Sequence, residues 1–253
     1  MIEKISSSVE IFTLNDKRGV KAAADAVIGG KILLLRVGPV FSFIINPYIT
    51  DLKNKLNDLK ERGKRQVLSA VCTYGQAGQI AGSDRINEDF FKLSPYLCGK
   101  IIVRIPVNTQ LALPFPYNTE DGTMQFLDFS ETHPMRRAFA QELALRGCEY
   151  VSITSGNISG APTIEDLDSA KQLAVLFNLK ASFLGMPEVR TAVADIPGDA
   201  GGHKGSYCIL SFCNPGAVEV KRLTNMGDRD FTDRYLKGLL SDVPMKTPLV
   251  YSL

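Results

Sequence analysis

A chain of 253 residues, 45% hydrophobic and 22% charged, is long enough to bury a substantial core as one large or two small domains. Its net charge of +2 is too small to argue for a nucleic-acid or membrane-surface partner. The longest apolar runs, 32–35 and 41–45, fall far short of a membrane span, and the first residues lack a signal-peptide apolar region. Five cysteines without a Cys-x-x-Cys pair, beside two histidines, speak against structural zinc and fit a reducing cytoplasm.

Residues 17–28 read as an Ala-rich helix closed by Gly29-Gly30. Lys31 to Arg36 follows as a strand, apolar enough to be buried on both faces. Thr50 to Arg62 is a second helix, with Leu52, Leu56 and Leu59 on one face and Gly63 as its cap. Lys60 and Arg62 at its end fit cations complementing the helix dipole. Gln66 to Cys72 is a strand, and Gly75, Gly78 and Gly82 mark a loose connection. A short helix over 87–93 and a strand over 100–105, stopped by Pro106, come next. Residues 107–123 are a Pro-, Asn- and Gly-punctuated loop. Met124 to Phe129 is a strand candidate. Pro134 sits in the first turn of a helix that runs to Gly147, with His133 before it as a capping or packing residue.

The densest polar stretch is Val151-Ser152-Ile153-Thr154-Ser155-Gly156-Asn157-Ile158-Ser159-Gly160. It predicts a strand, a tight polar loop and then a helix from Thr163, with Asp166 three residues on. Such a loop aims backbone N–H groups, hydroxyls and a helix dipole at one point, which suits phosphate; an ordinary polar turn has the same composition. After it come a helix to Phe177, strand-like pieces over 181–193, a turn or lid over 195–204, a strand over 206–212 and another over 218–223. Residues 228–253 are a short helix and a Pro-interrupted tail.

The run Ser152-x-Thr154-Ser155-Gly156-Asn157-x-Ser159-Gly160 resembles the Ser-x-Thr-Ser-Ala-Asn-x-Ser-Gly signature of the YrdC/YciO family, with Gly156 for Ala the only departure. Lys60-x-Arg62 matches that family's Lys-x-Arg pair, His133-Pro134 its His-Pro pair, Ser206 the serine of a late strand, and Arg222 the arginine of the closing strand. The resemblance spans residues 10–227. It implies one YrdC-like α/β domain over 1–227, a twisted mixed sheet of about seven strands flanked by helices, with 150–160 lining a concave face and 228–253 packed on or trailing it. The implied activity is that of a threonylcarbamoyl-AMP synthase, a nucleotidyltransferase joining ATP, bicarbonate and L-threonine for tRNA modification, with Mg²⁺ sharing the phosphate charge. Lys60 and Arg62 would serve the reaction; Ser152, Thr154, Ser155, Asn157, Ser206 and Arg222 would hold the nucleotide. No metal-ligating residue is expected. The resemblance also implies that the strand Lys31 to Arg36 leads into a loop over 36–43. Departures fall there, where the family places Thr, Thr and Tyr (here Val37, Pro39 and Phe41), and where it carries Arg-x-Pro (here Phe129-Ser130-Glu131). The alternative is a non-catalytic module of the same fold that binds nucleotide or double-stranded RNA.

Overall fold

The computed structural model describes residues 9–63, 66–82, 86–97, 99–110, 118, 120–129, 133–199, 207–223, 229–241, 243 and 245–251. Helix α1 (Lys17–Ile28) starts where Asp16 Oδ1 accepts from Gly19 N at 2.8 Å and leads into β2 (Ile32–Val37), which β1 (Ile11–Thr13) precedes in sequence. Strand β3 (Val40–Ile45) folds straight back on β2, Val37 opposite Val40, through a turn with Gly38 at φ 63°. The family pattern implied a loop here. The buried run Val-Phe-Ser-Phe-Ile-Ile instead has the β-branched and aromatic character of a central strand.

Helix α2 (Leu52–Leu59) ends earlier than expected, because the chain turns left-handed at Glu61, φ 57°, rather than at Gly63. The bonds Glu61 N to Asp58 O and Arg62 N to Asn57 O make this a Schellman ending with a non-glycine at its turning point. After β4 (Ser69–Val71), helix α3 (Tyr74–Ile80) occupies a stretch whose glycines read as loop; Thr73 and Gln76 form a reciprocal capping box there, which outweighs them. Then come α4 (Asp89–Leu97), β5 (Ile102–Pro106), β6 (Thr123–Leu127), α5 (Pro134–Ala144) and β7 (Val151–Ser155). His133 caps α5, its Nδ1 accepting from Met135 N at 3.3 Å.

Helix α6 (Leu167–Phe183) begins later than Thr163, capped by Asp166 through Ser169 N at 2.8 Å. Strands β8 (Thr191–Asp195), β9 (Ile209–Asn214) and β10 (Ala217–Arg222), helix α7 (Arg229–Leu240) and β11 (Leu249–Tyr251) complete the fold. Among the described residues eleven strands, not about seven, form one mixed sheet in the order β1-β8-β2-β3-β7-β4-β6-β5-β9-β10-β11. No helix among them is long and apolar enough to cross a membrane.

Side-chain alternation along the strands decides what the sheet covers. Leu33, Leu35, Ile44, Val151 and Ile153 pack with α1 and α5. Leu34, Phe43 and Ile45 pack with α2 and α6, where Phe43 stacks on Phe177 at 4.8 Å. Val103, Ile105, Met124, Phe126, Leu210 and Phe212 pack with α3, α4 and α7. The alternate residues of those last strands, among them Arg104, Thr123 and Gln125, line an open cavity instead.

Candidate functional site

The cleft has two parts that share Gln66, Val67, Gln125 and Arg222. The wide part, about 890 Å³, is lined by Lys53, Arg104, Thr123 and Glu120 among others. The small part, about 150 Å³, is lined by Ser42, Ser69, Thr154, Ser155, Thr163 and Tyr207, with Arg62 reaching in. The strand that carries the signature residues therefore faces the cleft.

The left-handed turn at Glu61 sends Lys60 and Arg62 to the same segment by different routes. Arg62, half-buried, donates from Nη1 to Thr154 Oγ1 at 2.7 Å and from Nη2 to Ser155 Oγ at 3.4 Å. Its Nε is buried and has no hydrogen-bond partner among the described residues, and burial lowers the pKa of its guanidinium. Lys60 is fully buried. Its Nζ donates to Ser155 O and, at 3.3 Å, to Asn157 Oδ1, and it lies 4.8 Å from the centre of the Phe43 ring. Burial, and then the nearby Arg62 charge, pushes Lys60 down to about 6. Glu61 points outward and pairs with Lys180 at 2.7 Å, while Lys180 also donates to Leu59 O at 3.0 Å.

Asn157 is a knot within the loop. Its Oδ1 accepts from Ser155 Oγ at 2.6 Å as well as from Lys60, and its Nδ2 donates to Ala161 O. Ser152, buried in β7 between Ile45 and Ala70, does not line the cleft. Arg222 does, its Nε and Nη2 donating to Tyr207 O at 3.0 and 2.8 Å. Ser206 lies outside the described residues. Thus Arg62, Thr154, Ser155 and Arg222 meet at the cleft, with Lys60 and Asn157 beneath them.

None of Val37, Pro39 and Phe41, the positions where the family carries hydroxyls, is among the described lining of the cleft. Val37 and Phe41 point into the two cores, and Val40 and Ser42 are the β3 residues that face the cleft. Tyr207 supplies a phenol from another part of the chain. Its OH donates to Val37 O at 3.1 Å, and burial pushes it up to about 12. Asp199 steadies this wall: it accepts from Gly38 N at 3.1 Å and pairs with buried Arg136 at 2.9 Å.

Lys53, Gln66, Arg104, Gln125 and Tyr207 were not singled out from sequence, because only strand pairing reveals which alternate residues face outward. The cleft carries the cations Lys53, Arg62, Arg104 and Arg222 against Glu120 among its described lining, so it favours an anion. No group of three or more potential metal ligands gathers among the described residues.

No protein-family model and no curated protein sequence matches this chain. Among solved structures it is similar to P. abyssi Sua5 complexed with L-threonine (TM-score 0.63, 13% identity, 95% of this chain and 65% of that one). It is also similar to E. coli YciO (TM-score 0.62, 12% identity, 87% and 98%). Full-length HypF in its phosphate- and nucleotide-bound form gives a TM-score of 0.58 at 18% identity over 80% of this chain and 28% of that one. The chain spans slightly less than two thirds of the Sua5 length. At these identities the likeness is one of fold. The fold is YrdC-like, a mixed sheet flanked by helices as in Sua5 and YciO.

Proposed function

We propose that the cleft binds ATP and that the chain is a nucleotidyltransferase forming the adenylate of a small acid. The observation that carries this reading is Arg62: a half-buried guanidinium with no ion pair among the described residues, held by Thr154 and Ser155 in the small part of the cleft, whose lining includes Arg222 as well. An unpaired, partly desolvated cation is stabilised by an anionic ligand. The small part is below the usual 300–1,000 Å³ of ligand pockets and the wide part is within it, so the nucleoside belongs in the wide part and the small acid in the hydroxyl-lined one. A carboxylate or carbamate oxygen of the acid attacks the α-phosphate, the new P–O bond forms, and pyrophosphate leaves. Arg62 and Arg222 neutralise phosphate charge, and the hydroxyls of Thr154 and Ser155 orient the attacking group. Mg²⁺ would enter on the phosphate oxygens with Glu120 the available carboxylate of the described lining, supplying further charge neutralisation. L-Threonine with bicarbonate, the pair implied by the resemblance, is the first acid to test.

Calorimetry should find ATP binding by the parent protein. Arg62→Ala should weaken it by more than about 1 kcal/mol by removing a charged donor. Asn157→Ala should weaken it similarly by untying the loop that presents Thr154 and Ser155. Pyrophosphate release in the presence of acid reports the chemistry. A parent that binds ATP no better than Arg62→Ala would sink the assignment.

A further inference from the structure

Strand β5 reads Ile-Val-Arg-Ile-Pro, with one arginine inside an apolar run. Val103 and Ile105 face the core under α3 and α4, so alternation turns Arg104 to the open side, into the wide part of the cleft. Its guanidinium is held there at two points. Nε donates to Thr123 Oγ1 at 3.0 Å, and Nη2 pairs with the Asp121 carboxylate. Thr123 in turn donates to Asp121 Oδ1 at 2.6 Å. Asp121 also accepts from Thr123 N at 3.1 Å, so the clamp itself is fixed.

Two properties follow. The Asp121 partner balances the charge of Arg104, whereas Arg62, Arg222 and Lys53 make no ion pair among the described residues. Phosphate groups therefore go to those three. The guanidinium of Arg104 is also an immobilised flat plate, and a weakly hydrated guanidinium stacks on π-faces as an ammonium does not. The described lining of the wide part contains no aromatic ring, while the carboxamides of Gln66, Gln125 and Asn118 stand around it, and carboxamides pair with base edges.

We infer that Arg104 is the stacking platform for a purine base, with Gln66 and Gln125 at the base edge and the phosphates running back toward Arg222 and Arg62. This rests on the nucleotide reading above and adds where the base lies and which residue discriminates it. The test is calorimetry of ATP, CTP and inorganic tripolyphosphate against the parent, Arg104→Lys and Thr123→Val. Arg104→Lys keeps the charge and loses the plate; it should weaken ATP about tenfold, erase the preference for ATP over CTP, and leave tripolyphosphate unchanged. Thr123→Val, which keeps the arginine and its Asp121 pair but removes the second of the two points that hold the guanidinium, should move ATP the same way by less. Equal losses of ATP and tripolyphosphate in Arg104→Lys would make Arg104 a phosphate contact and overturn the inference. Unchanged ATP binding in both variants would overturn it too. A parent that binds tripolyphosphate but not ATP refutes the base platform and leaves an anion site, whereas a parent that binds neither refutes the nucleotide reading itself.

Discussion

Gly156 is the one position where the signature differs from the family pattern, and packing accounts for it. A Cβ there would lie 2.5 Å from Phe41 O and 2.8 Å from Leu34 Cδ1, and the Gly156 N–H donates to that same Phe41 carbonyl at 2.9 Å. Backbone cannot retreat as a side-chain tip can. Gly156→Ala, which restores the family residue, should therefore cost about 1–3 kcal/mol in chemical denaturation and weaken ATP binding by displacing Ser155; an unchanged midpoint would show that β3 yields. Lys60 gives a pH-dependent prediction. Its folded pKa of about 6 lies below the unfolded lysine value, so between those values the unfolded chain holds the extra proton and stability rises with pH. Below about 6 both states are charged and the cost of burying the ammonium is fully present. Between pH 6.5 and 8.5 the parent should gain about 2 kcal/mol relative to Lys60→Met. Parallel urea-denaturation profiles for the two proteins would mean that Lys60 stays charged in the fold. The sequence made both Lys60 and Arg62 legible as a pair, but not their division of labour, which depends on a left-handed turn at a glutamate that no propensity favours.

At the scale of elements, what was readable followed periodicity. Helices α1, α5 and α6 follow from composition, apolar spacing and end signals; α1 keeps the expected bounds 17–28, while those of α5 and α6 move. Strand β3 is legible in its β-branched, aromatic run Val40–Ile45, and the loop that the family pattern implies there does not form. The open face of β5, β6 and β9 was invisible for another reason: alternation shows that two sides differ, and only the packed helices show which side is covered. The joint between α4 and the last strand was likewise unforeseen. Asp89, with no exposed surface, accepts from the backbone N–H groups of Lys246 and Thr247 and from Thr247 Oγ1 at 2.8–3.0 Å. Burial pushes its carboxyl pKa up, but these bonds more than offset that and hold it below the usual value. Its stabilisation is therefore present above the unfolded carboxylate pKa and lost as pH falls through the lower folded one. Asp89→Ala should cost about 3 kcal/mol and expose β11 amides to hydrogen exchange. A loss of only a few tenths would mean that β11 is held by its apolar contacts alone.

Across the whole molecule, the α/β class and the concave site were legible because one short signature and a handful of helix signals suffice for them. The number of strands was not. Several strands are only three residues long, too short to show a period of two against noise. The sheet is also knit from distant segments: β8 lies between β1 and β2 and pairs in parallel with both. Asp195 at its end pairs with Arg36 on β2. A chain truncated at residue 186 should accordingly lack a cooperative unfolding transition and show poor amide dispersion by NMR, despite keeping seven of the eleven strands. A sharp transition in that fragment would mean that β2, β3 and β7 form a core without β8.

The insertion of β8 has a consequence for the birth of the protein. On a ribosome, one edge of the apolar strand Ile32–Val37 is made early, but the segment that must cover it ends at Asp195. At ordinary elongation rates of about 5–20 residues per second, that interval is roughly ten to thirty seconds. For that time the nascent chain carries an unpaired ladder of Ile, Leu and Val, the kind of edge that recruits another chain. Crowded polysomes, rather than the finished protein, are then the place where this fold is most exposed to aggregation, and holdase chaperones should bind the nascent chain until β8 has emerged.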